Sequence, residues 1–296
     1  MDLLYRIATH CNGWLEKIGL HYKPLSHENL VHSFISRLAC NIPIDSFNND
    51  SYRENYTIWI FWAQGESQMP ETVKQCYTSV LKNRGRFNVV LLDMKNYFNY
   101  VDIPDYILKK MKKGVITITH FSDILRFALL EKYGGFWLDA TIYVASKVEM
   151  PKSLFTVRQR ENSNYVSKCR WCGFFWYIPK KHPLPFFVYK FLCVYWYKYN
   201  NLVDYFLIDY IIAYVYNHSK NFRNEIDKLP YSNPNIYFFQ ESECEKVFDG
   251  IAWKKICSNT QFFKMTWKKV FLIEKNGLKT FYGKLLTNGI DNNTHL

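Results

Sequence analysis

Two kinds of hydrophobic pattern divide this chain. Before residue 50, the apolar positions Leu30, Phe34, Ile35 and Leu38 recur at helical spacing and predict a helical segment. The polar stretch Phe47-Asn48-Asn49-Asp50-Ser51 then marks a boundary. After it the apolar positions gather into short continuous runs. Thr57 to Trp62 and Val89 to Leu92 are too short for helices and carry no polar alternation, so both read as buried strands.

Between these runs, Pro70 suits the first turn of a helix from Glu71 to about Lys82. Pro104 opens another that reaches about Lys113. Ser122 reads as the cap of a third, which stops at Gly134-Gly135 and hands over to a strand, Phe136-Trp137-Leu138. Beyond Pro151, Phe174 to Ile178 suits a strand, and Pro185 to Tyr199 and Leu202 to His218 suit helices. Strands alternating with helices predict an α/β fold with a parallel sheet and right-handed crossovers. Ligands of such sheets sit beyond the carboxyl ends of the strands. Trp62, Asp93 and Asp139 each close a strand at that edge.

A length of 296 residues accommodates one large domain with additions. The expected organisation is a helical extension over 1–50, the α/β domain over 51–270 and a basic tail over 271–296. The net charge of +12 directs attention to polyanionic partners: nucleic acid, anionic lipid or a phosphorylated substrate. No recognisable RNA- or DNA-binding motif accompanies it, so a nucleic-acid-binding module is the weaker reading. Aromatic residues make up 19% of the chain, more than a core requires, which suits ring-stacking surfaces or a membrane interface.

Met1 to Arg6 lacks the apolar stretch of a signal peptide. The most apolar region, Phe186 to Tyr216, is interrupted by Lys190, Lys198, Asp204 and Asp209, whereas a membrane span needs ~20 largely uncharged residues. The expectation is a cytoplasmic protein, peripheral at the inner membrane face, with reduced cysteines. Cys169-Arg170-Trp171-Cys172 has metal-knuckle spacing but lacks a second ligand pair, and reads as two ordinary thiols. Gly277, Gly283 and Lys284 do not make a phosphate loop, because five residues separate the glycines where that motif has four. His120 reads as a structural contact and His182 as part of a loop.

Asp123 and Arg126 lie three apart on one helix and share a face. On an arbitrary helix such a pair is a solvated ion pair worth ~0.2–0.5 kcal/mol. Here the helix turns back through Gly134-Gly135 into a strand ending at Asp139, so helix and strand can line one cleft.

The segment from His120-Phe121-Ser122-Asp123-Ile124-Leu125-Arg126 to Gly134-Gly135-Phe136-Trp137-Leu138-Asp139-Ala140-Thr141 resembles the capsular-polysaccharide-synthesis glycosyltransferases, relatives of glycosyltransferase family 32 and of the large clostridial glucosylating toxins. Weaker similarity covers Trp59 to Trp62, the strand to Asp93, Tyr205 to Tyr210 and Lys264-Met265-Thr266. The resemblance implies a GT-A fold, a UDP-sugar donor and hexose transfer with retention. It places Asp123 and Arg126 on donor hexose hydroxyls, Trp62 at the base and Trp137 along the donor pocket, with Asp93 and Ser122 among the donor-binding residues. Asp139 becomes the first acid of an Asp-x-Asp motif that binds Mn²⁺ or Mg²⁺, but the second position is Thr141, a much poorer ligand for a hard cation. Either another carboxylate completes the site, or the metal is held weakly, or basic side chains replace it; a divalent metal is the expectation.

Asp209 is a candidate active-site carboxylate and Lys264 a candidate contact for the diphosphate, although each also reads as an ordinary helix or surface residue. The expected acceptor is an oligosaccharide or lipid-linked glycan at an anionic membrane surface. The alternative is a toxin-like transferase acting on a protein.

Overall fold

The run Thr57–Phe61 becomes the central strand of the fold because it is apolar on both faces and finds a layer to cover each. The computed structural model describes residues 26–44, 52–160 and 165–288. Strand β1 (Thr57–Phe61) pairs in parallel with β2 (Asn88–Leu92), from Thr57 opposite Asn88 to Phe61 opposite Leu92. On its other side it pairs in parallel with β3 (Gly135–Leu138).

The last strand of the sheet departs from the all-parallel expectation. The sheet runs β2-β1-β3-β5, and β5 (Phe175–Ile178) lies antiparallel on β3, with Gly135 opposite Ile178 and Leu138 opposite Phe175. An antiparallel edge strand on an otherwise parallel sheet is a common ending.

Strand alternation assigns each face its cover. Trp59, Phe61, Trp137, Trp176 and Ile178 point into one core. That core is shared with helices α1 (His27–Ala39), α4 (Ile118–Lys132), α5 (Pro183–Lys198) and α6 (Leu207–His218). Ile58, Ile60, Phe136, Leu138, Phe175 and Tyr177 point the other way, onto Val73 and Val80 of α2 (Glu71–Asn83) and Val144 of β4 (Ile142–Val144). Helix α3 (Asp105–Lys112) buries Ile107 in the first core.

The first helix forms where its spacing placed it, capped by Ser26, and buries Leu30, Phe34, Ile35 and Leu38. Residues 1–25 and the break at 47–51 lie outside the described residues. Helix α7 (Lys220–Asp227) follows α6 directly. His182, expected in a loop, caps α5 instead. It is buried, its Nδ1 accepts from the Leu184 amide at 3.1 Å, and its Nε2 lies 3.0 Å from Glu225 Oε2. A polar ring at a buried helix start satisfies a backbone donor that would otherwise be stranded.

The C-terminal stretch, opaque to pattern reading, folds into α8 (Gly250–Cys257), β6 (Phe262–Lys264), a hairpin of β7 (Glu274–Lys275) and β8 (Leu278–Lys279), and α9 (Phe281–Asn288). Phe271, Phe281, Tyr282 and Leu285 pack with Cys76, Tyr143 and Trp253 in a third core, so the segment expected as a basic tail contributes buried surface. Strand β6 pairs antiparallel with β4, setting Lys264 opposite Ile142. Among the described residues, no helix is long and apolar enough to cross a membrane.

The return from α4 into β3 needs its glycines. Gly134 has φ +71° and Gly135 φ +101°, and a Cβ on Gly134 would lie 2.4 Å from the Lys180 nitrogen. Gly134→Ala therefore combines left-handed strain with a backbone clash. It is expected to cost about 2 kcal/mol or more, lowering the unfolding midpoint by roughly 4–8 °C in a thermal melt.

Candidate active site

Helix α4 starts five residues earlier than a cap at Ser122 would place it. Thr117 is the cap, its Oγ1 accepting from the His120 amide at 3.3 Å, and Ser122 lies inside the helix. Starting at Ile118 keeps Phe121, Ile124 and Leu125 on the buried face, and Thr117 supplies the side-chain acceptor that the first turn requires. Asp123 and Arg126 consequently project from the second and third turns, beside the carboxyl end of β3.

Arg126 is the centre of the cluster. It is 5% exposed, and one Nη2 donates to Asp123 Oδ1 at 3.1 Å and to Asp139 Oδ1 at 3.1 Å. Its Nη1 donates to the Gly173 carbonyl, and its guanidinium lies over the Trp137 ring at 5.2 Å. Its Nε is buried without a hydrogen-bond partner among the described residues. This is not the solvated i,i+3 pair of an ordinary helix: a planar fork binds three acceptors from three segments in a low-dielectric site. His120 Nδ1 stands 3.5 Å from Asp123 Oδ2 and adds a second contact to that carboxylate.

Asp139 faces two cations. Trp137 Nε1 donates to its Oδ1 at 2.9 Å, beside Arg126, while Lys264 Nζ donates to its Oδ2 at 2.9 Å. Burial alone would raise its carboxyl, but Lys264 and Arg126 outweigh that effect and hold it below the ordinary carboxylate range. The same Lys264 ammonium donates to Thr141 Oγ1 at 2.8 Å and lies 4.6 Å above the Phe174 ring. Asp139 and Thr141, expected to share a metal, share a lysine.

That arrangement bears on the expected Mn²⁺ or Mg²⁺. Hard divalent cations gather several oxygen ligands, most of them carboxylates or carbonyls. Here the one carboxylate of the motif carries a cation on each oxygen, and the neighbouring hydroxyl already accepts from Lys264. Among the described residues, no group of three or more His, Cys, Asp and Glu side chains is placed to hold a metal. The donor set at Asp139 and Thr141 does not suit a divalent ion.

Asp209, in the first turn of α6, approaches the same cluster beside Gly173. Trp171 Nε1 donates to its Oδ1 at 2.8 Å, and its oxygens lie 3.7 and 3.9 Å from where a Cβ on Gly173 would stand. Gly173 thus accepts from Arg126 and lies close to Asp209. Burial first, and then the neighbouring Asp123 charge, push Asp209 up to about 6 against the Trp171 hydrogen bond and Arg126.

A raised folded-state value means that the folded protein keeps a proton the unfolded chain has released. Stability from this group is complete below the unfolded value near 3.8 and is lost as pH rises through about 6. Asp209→Asn, which keeps an acceptor for Trp171, is expected to exceed wild type in stability above about pH 7 by roughly 2–3 kcal/mol. The advantage should vanish below about pH 4; a gap independent of pH in paired thermal melts would contradict it.

Trp62 and Asp93 form a second group along the same edge of the sheet. Trp62 packs edge-on against Trp267, ring centroids 5.7 Å apart, and its Nε1 reaches the Gln68 carbonyl at 3.4 Å. Asp93 Oδ1 accepts from the Lys95 amide at 2.7 Å, and its Oδ2 lies 3.1 Å from where a Cβ on Gly65 would stand, in the loop after β1. Trp137 lies in the sheet beneath Arg126.

Trp267, Trp171 and the Gly173 carbonyl were not among the expected site residues. Their signal was slight: isolated indoles in irregular segments, three residues past β6 and four before β5. Cys169 and Cys172 are free thiols; burial pushes Cys172 up to about 12, so it is no thiolate at neutral pH.

An α/β sheet with a compact charge cluster beyond its carboxyl edge defines the general class, a binding or catalytic domain of doubly covered α/β type. Residues 24–285 match the capsular polysaccharide synthesis protein family, and the chain belongs to that family. Two fungal proteins resemble parts of it. The O-glycosyltransferase braB of Annulohypoxylon truncatum is 31% identical over 101 residues, 31% of this chain and 24% of that protein. The O-glycosyltransferase PaGT of Phomopsis amygdali is 27% identical over 135 residues, 43% of this chain and 30% of that protein. The matched stretches thus span under a third of those relatives. The solved structure of the PaToxG glycosyltransferase aligns over 76% of this chain and 84% of its own, at 15% identity and a TM-score of 0.39.

Proposed function

We propose that the chain is a glycosyltransferase of GT-A type that moves a hexose from a nucleotide sugar, a UDP-sugar on this reading, to a hydroxyl of a glycan acceptor in capsular or surface polysaccharide synthesis. The observation that carries the reading is the cluster of Asp123, Arg126, Asp139 and Lys264 at the carboxyl edge of the sheet. Carboxylates and a guanidinium side by side read sugar hydroxyls, which both donate and accept. Lys264 presents positive charge to a diphosphate, and Trp62 with Trp267 offers aromatic faces to a base. Transfer breaks the bond between the anomeric carbon and the diphosphate oxygen, whose electron pair leaves with the nucleoside diphosphate. The acceptor oxygen forms the new bond, and its proton passes to the departing diphosphate or to solvent.

Family membership and two relatives named as O-glycosyltransferases support transfer to oxygen. Retention at the anomeric carbon is part of the proposal and is read from the configuration of the product. A lipid-linked acceptor at an anionic membrane suits the surface: Val270, 91% exposed, Leu272 and Ile273 are flanked by Lys268 and Lys269, and each basic residue near anionic lipid contributes ~1 kcal/mol. The test is incubation with a panel of UDP- and GDP-sugars, following hydrolysis and transfer. Release of nucleoside diphosphate from one of them is expected. A folded protein that neither binds nor cleaves any of them is not this enzyme.

A further inference from the structure

We propose that the Lys264 ammonium takes the place of a bridging metal ion, so that this chain holds the diphosphate of its donor without a divalent cation. The inference rests on the reading of the cleft as a nucleotide-sugar site.

Position is the first argument. Lys264 Nζ lies 2.9 Å from Asp139 Oδ2 and 2.8 Å from Thr141 Oγ1, bridging the two side chains at the ends of the Asp-Ala-Thr triplet. Rigidity is the second. The Lys264 amide donates to the Ile236 carbonyl at 2.7 Å, and its carbonyl accepts from Gln240 Nε2 at 3.0 Å. The next amide, that of Met265, donates to the Thr141 carbonyl at 2.8 Å. With Lys264 also in register opposite Ile142, its backbone is fixed relative to the triplet it bridges. The side chain is 18% exposed, unlike that of a surface lysine.

Charge balance is the third argument. Two carboxylates flanking a site call for a doubly charged ion; one carboxylate and one hydroxyl match a single positive charge. Thr141 and Lys264 together therefore give the triplet the balance of a single positive charge. A metal entering this site would have to displace Lys264 from Asp139 Oδ2 and sit beside Arg126, which already occupies Oδ1. An ammonium also has three donors. Asp139 and Thr141 take two, which leaves one for a phosphate oxygen, the kind of point-charge contact that lysine makes with phosphates.

The test is binding of UDP, GDP, CDP and ADP, measured calorimetrically in EDTA and again with excess Mn²⁺ or Mg²⁺. The wild-type protein is expected to bind at least one of them with affinity that differs less than about 3-fold between the two conditions. Lys264→Met, which keeps most of the apolar stem, is expected to lose about 10–100-fold in EDTA while Lys264→Arg loses less. Lys264→Met combined with Thr141→Asp should bind when metal is supplied and not in EDTA.

Wild-type binding that requires metal overturns the inference and leaves the donor-site reading standing. Lys264→Met binding as tightly as wild type in EDTA also overturns it. A folded wild-type protein that binds none of the four in either condition removes the donor site itself, and the inference with it. The wild-type comparison needs no variant, so a substitution that fails to fold does not blunt the test.

Discussion

Replacing Arg126 with alanine should all but abolish transfer and should weaken the fold as well. The guanidinium bridges Asp123 and Asp139, and it holds the Gly173 carbonyl beside Asp209. Its removal leaves two carboxylates, 16% and 27% exposed, facing each other without their common partner. Breaking a buried pair from one side typically costs about 3–5 kcal/mol, because the surviving charge stays desolvated. Arg126→Lys separates the two consequences. It keeps the charge and most of the stability but cannot span three acceptors, so turnover should still fall about 100-fold or more. Arg126 also lowers Asp209, so its loss should move the Asp209 titration further up, visible in a carboxyl-resolved NMR titration of the alanine variant. Wild-type turnover in either variant would remove Arg126 from the catalytic cluster.

Asp139→Asn is the second large effect expected. The amide is nearly isosteric with the carboxylate, and its oxygen can still accept from Trp137 or from Lys264. The charge that holds both Arg126 and Lys264 is gone, and the amide hydrogens now face one of those cations. Transfer is expected to fall about 100-fold or more, with a stability cost of about 1–3 kcal/mol, discounted because the side chain remains 27% exposed. Asp139 is held below its ordinary value in the folded state, so it stabilises the protein above the unfolded carboxylate value. That stabilisation drains away as pH falls through the folded value. The stability gap between wild type and Asp139→Asn should thus be full at neutral pH and close on acidification.

Much of this site was legible because it is local. Asp123, Arg126, Gly134, Gly135 and Asp139 fall within one helix, one return and one strand, and helical spacing together with the glycines fixes which faces meet. The two other parallel strands were equally plain as strands, since Ile58 to Phe61 and Val89 to Leu92 are uninterrupted apolar runs, although β2, at the sheet edge, buries only Leu92 fully.

What escaped was long-range or ambiguous. The direction of β5 leaves no trace in a fully buried four-residue run, which reads the same in either sense. Thr117 and Ser122 are both good caps, and only the packing of Phe121, Ile124 and Leu125 decides between them. Strand β6 has three residues, too few for a period, and its partner β4 lies some 120 positions earlier, so the placement of Lys264 on Asp139 was not readable in advance. Lys264 was a candidate because it is basic; what makes it specific is a pairing the primary structure does not announce.

That pairing also sets a timetable. The contact between Asp139 and Lys264 spans 125 positions, and contacts of that reach form late, after local helices and neighbouring strands have closed their shorter loops. A nascent chain that has emerged only as far as α8 contains all four strands of the sheet and the partners of Arg126, yet still lacks the Lys264 ammonium that pairs with Asp139. The complete Asp139–Lys264 pair therefore reports on completed folding rather than on the presence of the sheet. It should trail the burial of Trp59 and Trp137 in any time-resolved refolding record.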